Sequence, residues 1–206
     1  ESIIAQKINA GRREFYKDLF ETYKLEIDKN LFSSNTNNIT VMKYRNIYLT
    51  AVRVGEYDWA ERFIFDFEKK INDEDRHDIF ELAMAQLNFE RKNFDDTLQH
   101  LNKVKTDQIF FKVDVRILSL MSLYELGHFE TAISLIDSFR KLLSQSPSLT
   151  EQYRQKNLNF INSVSSLIRL TTDYDKDSAS ILKEKINGYE LVGYKNWLNE
   201  KADLLK

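Results

Sequence analysis

A short turn signature occurs three times in the chain, and it constrains the fold more than any other feature. In its clearest copy, Gly127 is followed two residues later by the aromatic Phe129 and then by the small residue Ala132. Related copies run from Gly55 to Ala60 and from Lys92 to Thr97. Because apolar residues with helical spacing flank each copy, the signature is typical of a turn between two helices.

The aromatic residues of the three copies recur at a nearly constant spacing. Tyr57, Phe94 and Phe129 are 37 and 35 residues apart. A period of this length, with a helix on either side of each turn, indicates stacked helical hairpins. The sequence therefore predicts an all-α fold.

Composition agrees with a helical protein that does not span a membrane. The 206 residues include one Pro and five Gly, which are too few turn residues for a multi-stranded sheet. Hydrophobic residues make up 42% and charged residues 30%, and no apolar run approaches the roughly 18 residues that a membrane span needs. The sequence begins at Glu1 without Met or an apolar leader, which favours a processed product or a domain of a longer protein.

Charge and cysteine content exclude several functional classes. The net charge is -2, and Lys and Arg alternate with Asp and Glu along the chain, so no basic face predicts a nucleic acid or a membrane surface as partner. The absence of Cys excludes disulfides, thiolate metal sites and a Cys nucleophile. We expect a cytoplasmic protein without a cofactor.

The helical patterns divide one expected domain, residues 1–206, into three parts. Residues 1–32 predict an N-terminal helical hairpin with a break at Gly11, and residues 40–145 predict three further hairpins. Residues 150–206 predict a degenerate repeat and a terminal capping helix.

Loops and caps follow from short polar stretches. Residues 33–38 are all Ser, Asn or Thr, which favour turns, and they form the clearest loop and the one candidate joint. Asn72 and Asp73 predict a helix stop followed by a new N-cap. The first helix of the third hairpin is apolar nearly all round, so we expect it at the centre of the stack.

The last helix is predicted to cap the stack with one apolar side. That side carries Trp197, Leu198, Leu204 and Leu205. The opposite side carries Lys195, Asn199, Glu200 and Lys201.

With these patterns laid out, the chain resembles tetratricopeptide repeat proteins. Aromatic, small and large residues come in that family's order between Tyr44 and Phe67, and again between Arg116 and Phe139. In the middle repeat, Thr97 replaces the usual Ala. The chain is also similar to a group of bacterial repeat proteins that end in a Trp-Leu capping helix, a group that suggests no reaction. The resemblance implies a right-handed superhelix whose concave face binds peptide or protein segments.

One branch of that family captures the C-terminal carboxylate of chaperones with Lys, Asn and Arg side chains. The comparable positions here are Arg45, Leu49, Ala83, Asp114 and Leu118. Only Arg45 fits, because an anionic carboxylate would meet Asp114 and apolar side chains instead of converging donors. A chaperone-tail clamp is therefore not expected.

The leading functional hypothesis is a non-catalytic module that holds a peptide or helix of a partner protein in its concave groove. Long polar side chains mixed with aromatic residues and Met are typical of such a surface. The predicted groove residues are Arg45, Asn46, Leu49, Arg53, Gln86, Phe89, Glu90, Met121, Tyr124, Arg154 and Asn157. Some inward residues, Met121 and Leu82 first, have core packing as the alternative interpretation.

Two further hypotheses remain open from the sequence. The repeats could self-associate as a structural scaffold, with the groove empty or filled by the chain's own N-terminal helix. Asp173, Asp175, Asp177 and Glu184 have the spacing of an EF-hand calcium loop, although Ser178 stands where that loop needs Gly.

His77, His100 and His128 are not at metal-ligand spacing, and no phosphate loop or serine elbow occurs, so we expect no metal site and no catalytic residue.

Overall fold

A computed structural model describes residues 2–9, 12–29, 31, 39–71 and 73–205, and these residues form no β-strand. The all-α prediction is therefore confirmed for the described chain. The α-helices are α1 Ser2–Asn9, α2 Tyr16–Asp28, α3 Val41–Arg53, α4 Tyr57–Phe67, α5 Asp73–Glu90, α6 Phe94–Leu101, α7 Ile109–Glu125, α8 Phe129–Ser144, α9 Glu151–Thr172, α10 Lys176–Gly188 and α11 Lys195–Asp203. Two short 3₁₀ helices cover Arg13–Phe15 and Glu68–Lys70.

The chain divides into two compact units, Glu1–Ser122 and Leu123–Lys206. We call them unit 1 and unit 2. Helix α7 runs without interruption through the residues at which the division falls. The organisation of residues 1–206 as one domain stays a prediction.

Several expected loop features fall on residues that the structure does not describe. These are the break at Gly11, the polar loop 33–38 and the helix stop at Asn72. Helix α5 begins at Asp73, as the sequence predicts. Thr40 caps α3, since its hydroxyl accepts a hydrogen bond from the Lys43 N–H at 3.2 Å.

The three turn signatures form the same hydrogen-bonded turn. The Gly55 N–H donates to the Val52 carbonyl and the Glu56 N–H donates to the Ala51 carbonyl, both at 3.0 Å. The same pair of bonds, at 2.8 to 3.0 Å, closes the other two turns. This arrangement is a Schellman motif, which satisfies the last carbonyls of one helix and lets the next helix start two residues later.

Each turn places one residue in the left-handed backbone region. The φ angle is 84° at Gly55, 64° at Lys92 and 73° at Gly127. Glycine adopts this conformation without strain, whereas lysine does not. The middle turn thus keeps its shape although its sequence lacks the glycine.

Each signature also supplies a small residue that becomes fully buried. Ala60, Thr97 and Ala132 all have no exposed surface. The Thr97 hydroxyl donates to the Asn93 carbonyl at 2.9 Å, so its polar group is satisfied without a neighbour from another helix. This local bond explains how Thr substitutes for the Ala of the other two copies.

Helix α5 is the most completely buried helix of unit 1. Every residue from 81 to 89 is buried, because α5 packs against α3, α4 and α6. Its polar members are satisfied: Glu81 contacts His100, Gln86 donates to Glu90, and Asn88 donates to a carbonyl of its own helix. The sequence predicted the central position for α7, in which all residues from 117 to 122 except Ser119 are buried, but it did not predict the more complete burial of α5.

In unit 2 the long helix α9 provides most of the core. It packs against α8, α10 and α11, and Phe160, Ile161, Val164 and Leu167 have no exposed surface. Thr150 caps it by accepting a hydrogen bond from the Tyr153 N–H at 3.3 Å.

The terminal helix α11 differs from its predicted pattern at two positions. Trp197 and Leu198 are buried as expected, but Leu204 is 61% exposed and Lys201 is only 8% exposed. The helix ends at Asp203, before Leu204, and Lys201 lies one turn after Trp197 on the same face. The assignment of Lys201 to the solvent side and of Leu204 to the apolar side was therefore wrong.

Among the described residues, no helix combines the length and the hydropathy that crossing a bilayer requires.

Candidate partner-binding surface

The predicted groove residues fall into both units, and each unit is considered by itself. Unit 1 contains Arg45, Asn46, Leu49, Arg53, Gln86, Phe89, Glu90 and Met121. Unit 2 contains Tyr124, Arg154 and Asn157.

Helix α3 presents the most accessible part of the predicted surface. Asn46 and Arg53 are exposed, and Arg45 and Leu49 are half-buried. These four residues recur at helical spacing on one broad face of α3, while Tyr44, Ile47 and Tyr48 fill the core from the other face. We call Arg45, Asn46, Leu49 and Arg53 the α3 stripe.

Arg45 forms an ion pair that joins α3 to α7. Its Nη2 lies 2.7 Å from Oδ2 of Asp114, and the two side chains are 29% and 20% exposed. The buried Tyr48 lies close to both charges. Burial raises the pKa of the Tyr48 phenol above its usual range, so this ring stays neutral beneath the pair.

Among the described residues, the hydrogen-bond partner of Arg53 is an aromatic hydroxyl and not a carboxylate. Its Nη1 donates to the Tyr16 hydroxyl at 3.2 Å, and its guanidinium lies 5.0 Å from the centre of that ring. A cation over an aromatic face is stabilised without being neutralised. The phenol therefore orients the Arg53 charge and leaves it available to an anion.

Glu90, the last residue of α5, contributes the negative charge nearest to Arg53 in this set. Enclosure by its neighbours raises the pKa of the Glu90 carboxyl, while the Gln86 amide at 3.2 Å and the charge of Arg53 act in the opposite direction. A carboxylate at a helix C-terminus is also disfavoured by the helix dipole. Glu90 and Arg53 therefore interact through their charges without a direct hydrogen bond between them among the described contacts.

Three predicted groove residues of unit 1 are buried, and one of them is the polar residue Gln86, which is 8% exposed. Met121 is 1% exposed, and Phe89 is 7% exposed with its ring edge-on to Phe94 at 5.4 Å. Leu82 is also buried, at 3%. This burial agrees with the core alternative for Met121 and Leu82, and it leaves the α3 stripe with Glu90 as the accessible part.

The three predicted groove residues of unit 2 make structural contacts. Arg154 donates to the backbone carbonyls of Leu143, Ser146 and Leu149, and so holds the loop after α8. Asn157 is buried and donates to a carbonyl of its own helix at 2.8 Å.

Tyr124, the third of these residues, lies half-buried between neighbours. Its hydroxyl is 3.1 Å from the Thr171 hydroxyl and its ring is edge-on to Trp197. Burial raises the pKa of Tyr124, so it remains a neutral hydrogen-bonding group.

Sequence reasoning missed the contacts that define the charges of the α3 stripe. Asp114 entered only as an obstacle to a chaperone tail, and Tyr16 was not singled out at all. Asp114 lies 69 residues from Arg45 and Tyr16 lies 37 residues from Arg53, so no local spacing connects them. The one sequence signal for the Arg45–Asp114 contact was that Asp114 is an acid at a position predicted to face the inner side of a later hairpin.

The remaining candidate groups have structural surroundings in the described chain. Nδ1 of His100 lies 2.6 Å from Oε2 of the buried Glu81, whereas His77 and His128 are exposed. No cluster of His, Asp and Glu suited to a metal ion occurs among the described residues.

The acidic segment before α10 is a helix cap instead of an EF-hand loop. Asp175 caps α10 by accepting a hydrogen bond from the Ser178 N–H at 2.8 Å, and hydrogen bonding from the Ser178 side chain and backbone lowers the pKa of its carboxyl. Because α10 begins at Lys176, Glu184 is carried about 12 Å along the helix axis, away from the first acids. The carboxylates therefore do not wrap around one cation.

Comparison with protein-family models, with curated proteins and with solved structures finds no match for this chain.

Proposed function

We propose that this protein is a non-catalytic, tetratricopeptide-like helical-repeat module that binds a segment of a partner protein on the α3 stripe. The observation that carries the proposal is the turn found three times, with one left-handed residue and one fully buried small residue in each copy. A repeated helical hairpin is the unit from which superhelical binding proteins are built. The right-handed superhelix and the cytoplasmic location belong to the same proposal.

Packing in unit 1 supports the repeat interpretation. Helix α5 contacts both α3 and α4, as the first helix of one hairpin contacts both helices of the hairpin before it in a repeat stack. Successive first helices then line one side of the stack. The exposed members of the α3 stripe, Asn46 and Arg53, lie on the face of α3 opposite its core residues.

The composition of the α3 stripe suits recognition of another chain. Arg is enriched in protein interfaces and forms directed hydrogen bonds with carboxylates and carbonyls. Asn46 offers an amide that both donates and accepts, and Leu49 adds apolar area between the two arginines. This surface offers binding groups but no nucleophile and no acid–base pair.

The experiment is an affinity capture from lysate of the source cell, comparing the unaltered chain with the Arg45→Glu, Arg53→Glu double variant. The proposal predicts a protein that the unaltered chain retains and the double variant loses. A matched control is Arg62→Glu, Lys69→Glu, which makes the same charge change at exposed positions on α4 and on the following 3₁₀ turn. Equal recovery of the same proteins by the unaltered chain and by the Arg45→Glu, Arg53→Glu variant contradicts the proposal.

The Arg45→Glu change places a carboxylate opposite Asp114 and can weaken the fold. Thermal melting of both double variants must accompany the capture. The single variant Arg53→Glu keeps the Arg45 pair intact, so its binding result reports on the surface alone.

Self-association is the second candidate, and exposed apolar side chains in unit 1 favour it. Leu25 is 57% exposed and Met42 is 58% exposed. Light scattering over a range of protein concentrations distinguishes the two candidates. A constant monomer mass eliminates the scaffold alternative.

A further inference from the structure

The two arginines of the α3 stripe differ in how their charges are compensated. Arg45 already holds a carboxylate, because Asp114 lies 2.7 Å away with both groups partly shielded from solvent. Arg53 faces the neutral phenol of Tyr16 at 3.2 Å and has Glu90 as a nearby carboxyl. One guanidinium thus holds a carboxylate at ion-pair distance within the fold, whereas the hydrogen-bond partner of the other is a phenol.

The spacing of the two arginines along the backbone of α3 sets a scale for the ligand. Arg45 and Arg53 are eight residues apart on α3, which is about 12 Å along a helix axis. An extended peptide advances about 3.3 Å per residue, so four residues cover a similar length. Two acidic side chains separated by three residues match the two arginines.

We propose that Asp114 is an internal competitor for an acidic partner segment, and that the α3 stripe selects an extended segment with two carboxylates about four residues apart. One carboxylate replaces Asp114 on Arg45, and the other binds Arg53. This inference rests on the proposed partner-binding function and adds to it the chemical class of the partner.

The competition explains why a carboxylate at Arg45 alone is not enough. A ligand with a single acid at Arg45 exchanges one ion pair for another and leaves Asp114 without its partner, so it gains little free energy. A second acid at Arg53 forms a direct ion pair in place of the hydrogen bond that Arg53 donates to the Tyr16 hydroxyl. Asp114 therefore reduces the gain from a carboxylate at Arg45, so that a segment must also place an acid at Arg53 to bind well.

The test uses short fluorescein-labelled peptides whose C-termini are amidated, so that only side-chain carboxylates are present. One peptide carries two Glu residues separated by three neutral residues, and its matched peptide has one Glu replaced by Gln. Fluorescence anisotropy measures the affinity of each peptide for the unaltered chain and for Asp114→Asn. We expect the unaltered chain to prefer the two-Glu peptide, and Asp114→Asn to bind the two-Glu peptide about tenfold more tightly and the one-Glu peptide by a much smaller factor, because a single acid can already bind Arg53.

A matched control removes an acid that does not touch Arg45. Asp107 is fully exposed and pairs with Lys112, so Asp107→Asn changes the net charge equally and leaves the Arg45 pair in place. We expect this variant to bind both peptides as the unaltered chain does. An equal gain from Asp107→Asn would show a general charge effect and overturn the inference.

A second variant keeps the inference testable if Asp114→Asn unfolds. Arg53→Gln leaves the Arg45–Asp114 pair in place and must abolish the preference for two Glu residues over one. Retention of that preference overturns the inference, as does a failure of the two-Glu peptide to bind the unaltered chain. If the lysate partner is still lost on charge reversal of the α3 stripe, only the acidic class fails and the binding function stands.

Discussion

Lys92 occupies the left-handed position that glycine holds in the other two turns. Its φ angle of 64° lies in the left-handed region, which costs a residue with a Cβ atom about 1 kcal/mol of stability. No atom lies within 4 Å of a Cβ built at Gly55 or Gly127, so backbone strain alone decides these positions.

Replacing Lys92 with Gly should stabilise the protein by about 1 kcal/mol, and replacing Gly55 or Gly127 with Ala should destabilise it by a similar amount. Urea unfolding measures each change in the free energy of unfolding. Lys92→Ala is the control, because it removes the long side chain but retains the strain. A gain from Lys92→Ala equal to that from Lys92→Gly would assign the effect to the side chain.

Contacts between residues that are far apart in the sequence were not predictable. The turn residues act on their own backbone, so their sequence alone indicates their structure. The Arg45–Asp114 pair depends on how hairpins pack, and neither residue carries a local signal for the other. Leu204 was misplaced because helix ends are uncertain by a residue or two. Lys201 was misplaced because its charge was taken to place it at the surface, although it lies one turn after the buried Trp197 on the same face.

At the level of elements, helix α11 is held to unit 2 by a charged cluster as well as by apolar packing. Glu125 accepts hydrogen bonds from Nε1 of Trp197 at 2.6 Å and from Nζ of Lys201 at 2.7 Å. Burial lowers the pKa of Lys201, but hydrogen bonds and charges from Glu125 and Glu200 outweigh it and raise that pKa above the ordinary value. The ammonium form of Lys201 is therefore stabilised by folding.

A raised pKa gives the sign of the pH dependence. The contribution of Lys201 is complete below its ordinary pKa of 10.5, and it is lost as the pH rises through the higher pKa of the folded state. We expect Trp197 fluorescence, recorded in a Trp59→Phe variant, to show loosening of α11 at alkaline pH. The same titration with Lys201→Gln should lack this transition, and an unchanged transition would remove Lys201 as its origin.

Helix α5 shows which structural features a hydrophobic pattern predicts and which it does not. The sequence identified the helix and its neighbours, because its apolar spacing and flanking turns are local. Its complete burial involves Glu81, Gln86 and Asn88, which a polarity pattern places at the surface. Each of these side chains has a partner within hydrogen-bonding distance, and these hydrogen bonds allow the polar groups to be buried.

At the level of the whole molecule, each compact unit carries one of the two tryptophans. Trp59 lies in unit 1, stacked on Phe63, and Trp197 lies in unit 2. The single-domain prediction requires both to report the same transition, because α7 is one continuous helix that contributes residues to each unit.

Single-tryptophan variants Trp59→Phe and Trp197→Phe separate the two signals. We expect coincident urea midpoints after correction for the stability change that circular dichroism measures in each variant. Two separate midpoints within one variant, one by fluorescence and one by circular dichroism, would show that the units unfold independently.

The central claim is that a partner binds on the α3 stripe, and site-specific photo-cross-linking tests it most directly. A photoreactive amino acid at the exposed position Asn46 should cross-link to a partner in lysate, and the product should disappear when Arg53→Glu is added. The same amino acid at exposed Arg62 on α4 should give no such product. A partner cross-linked from position 62 but not from position 46 would contradict the account.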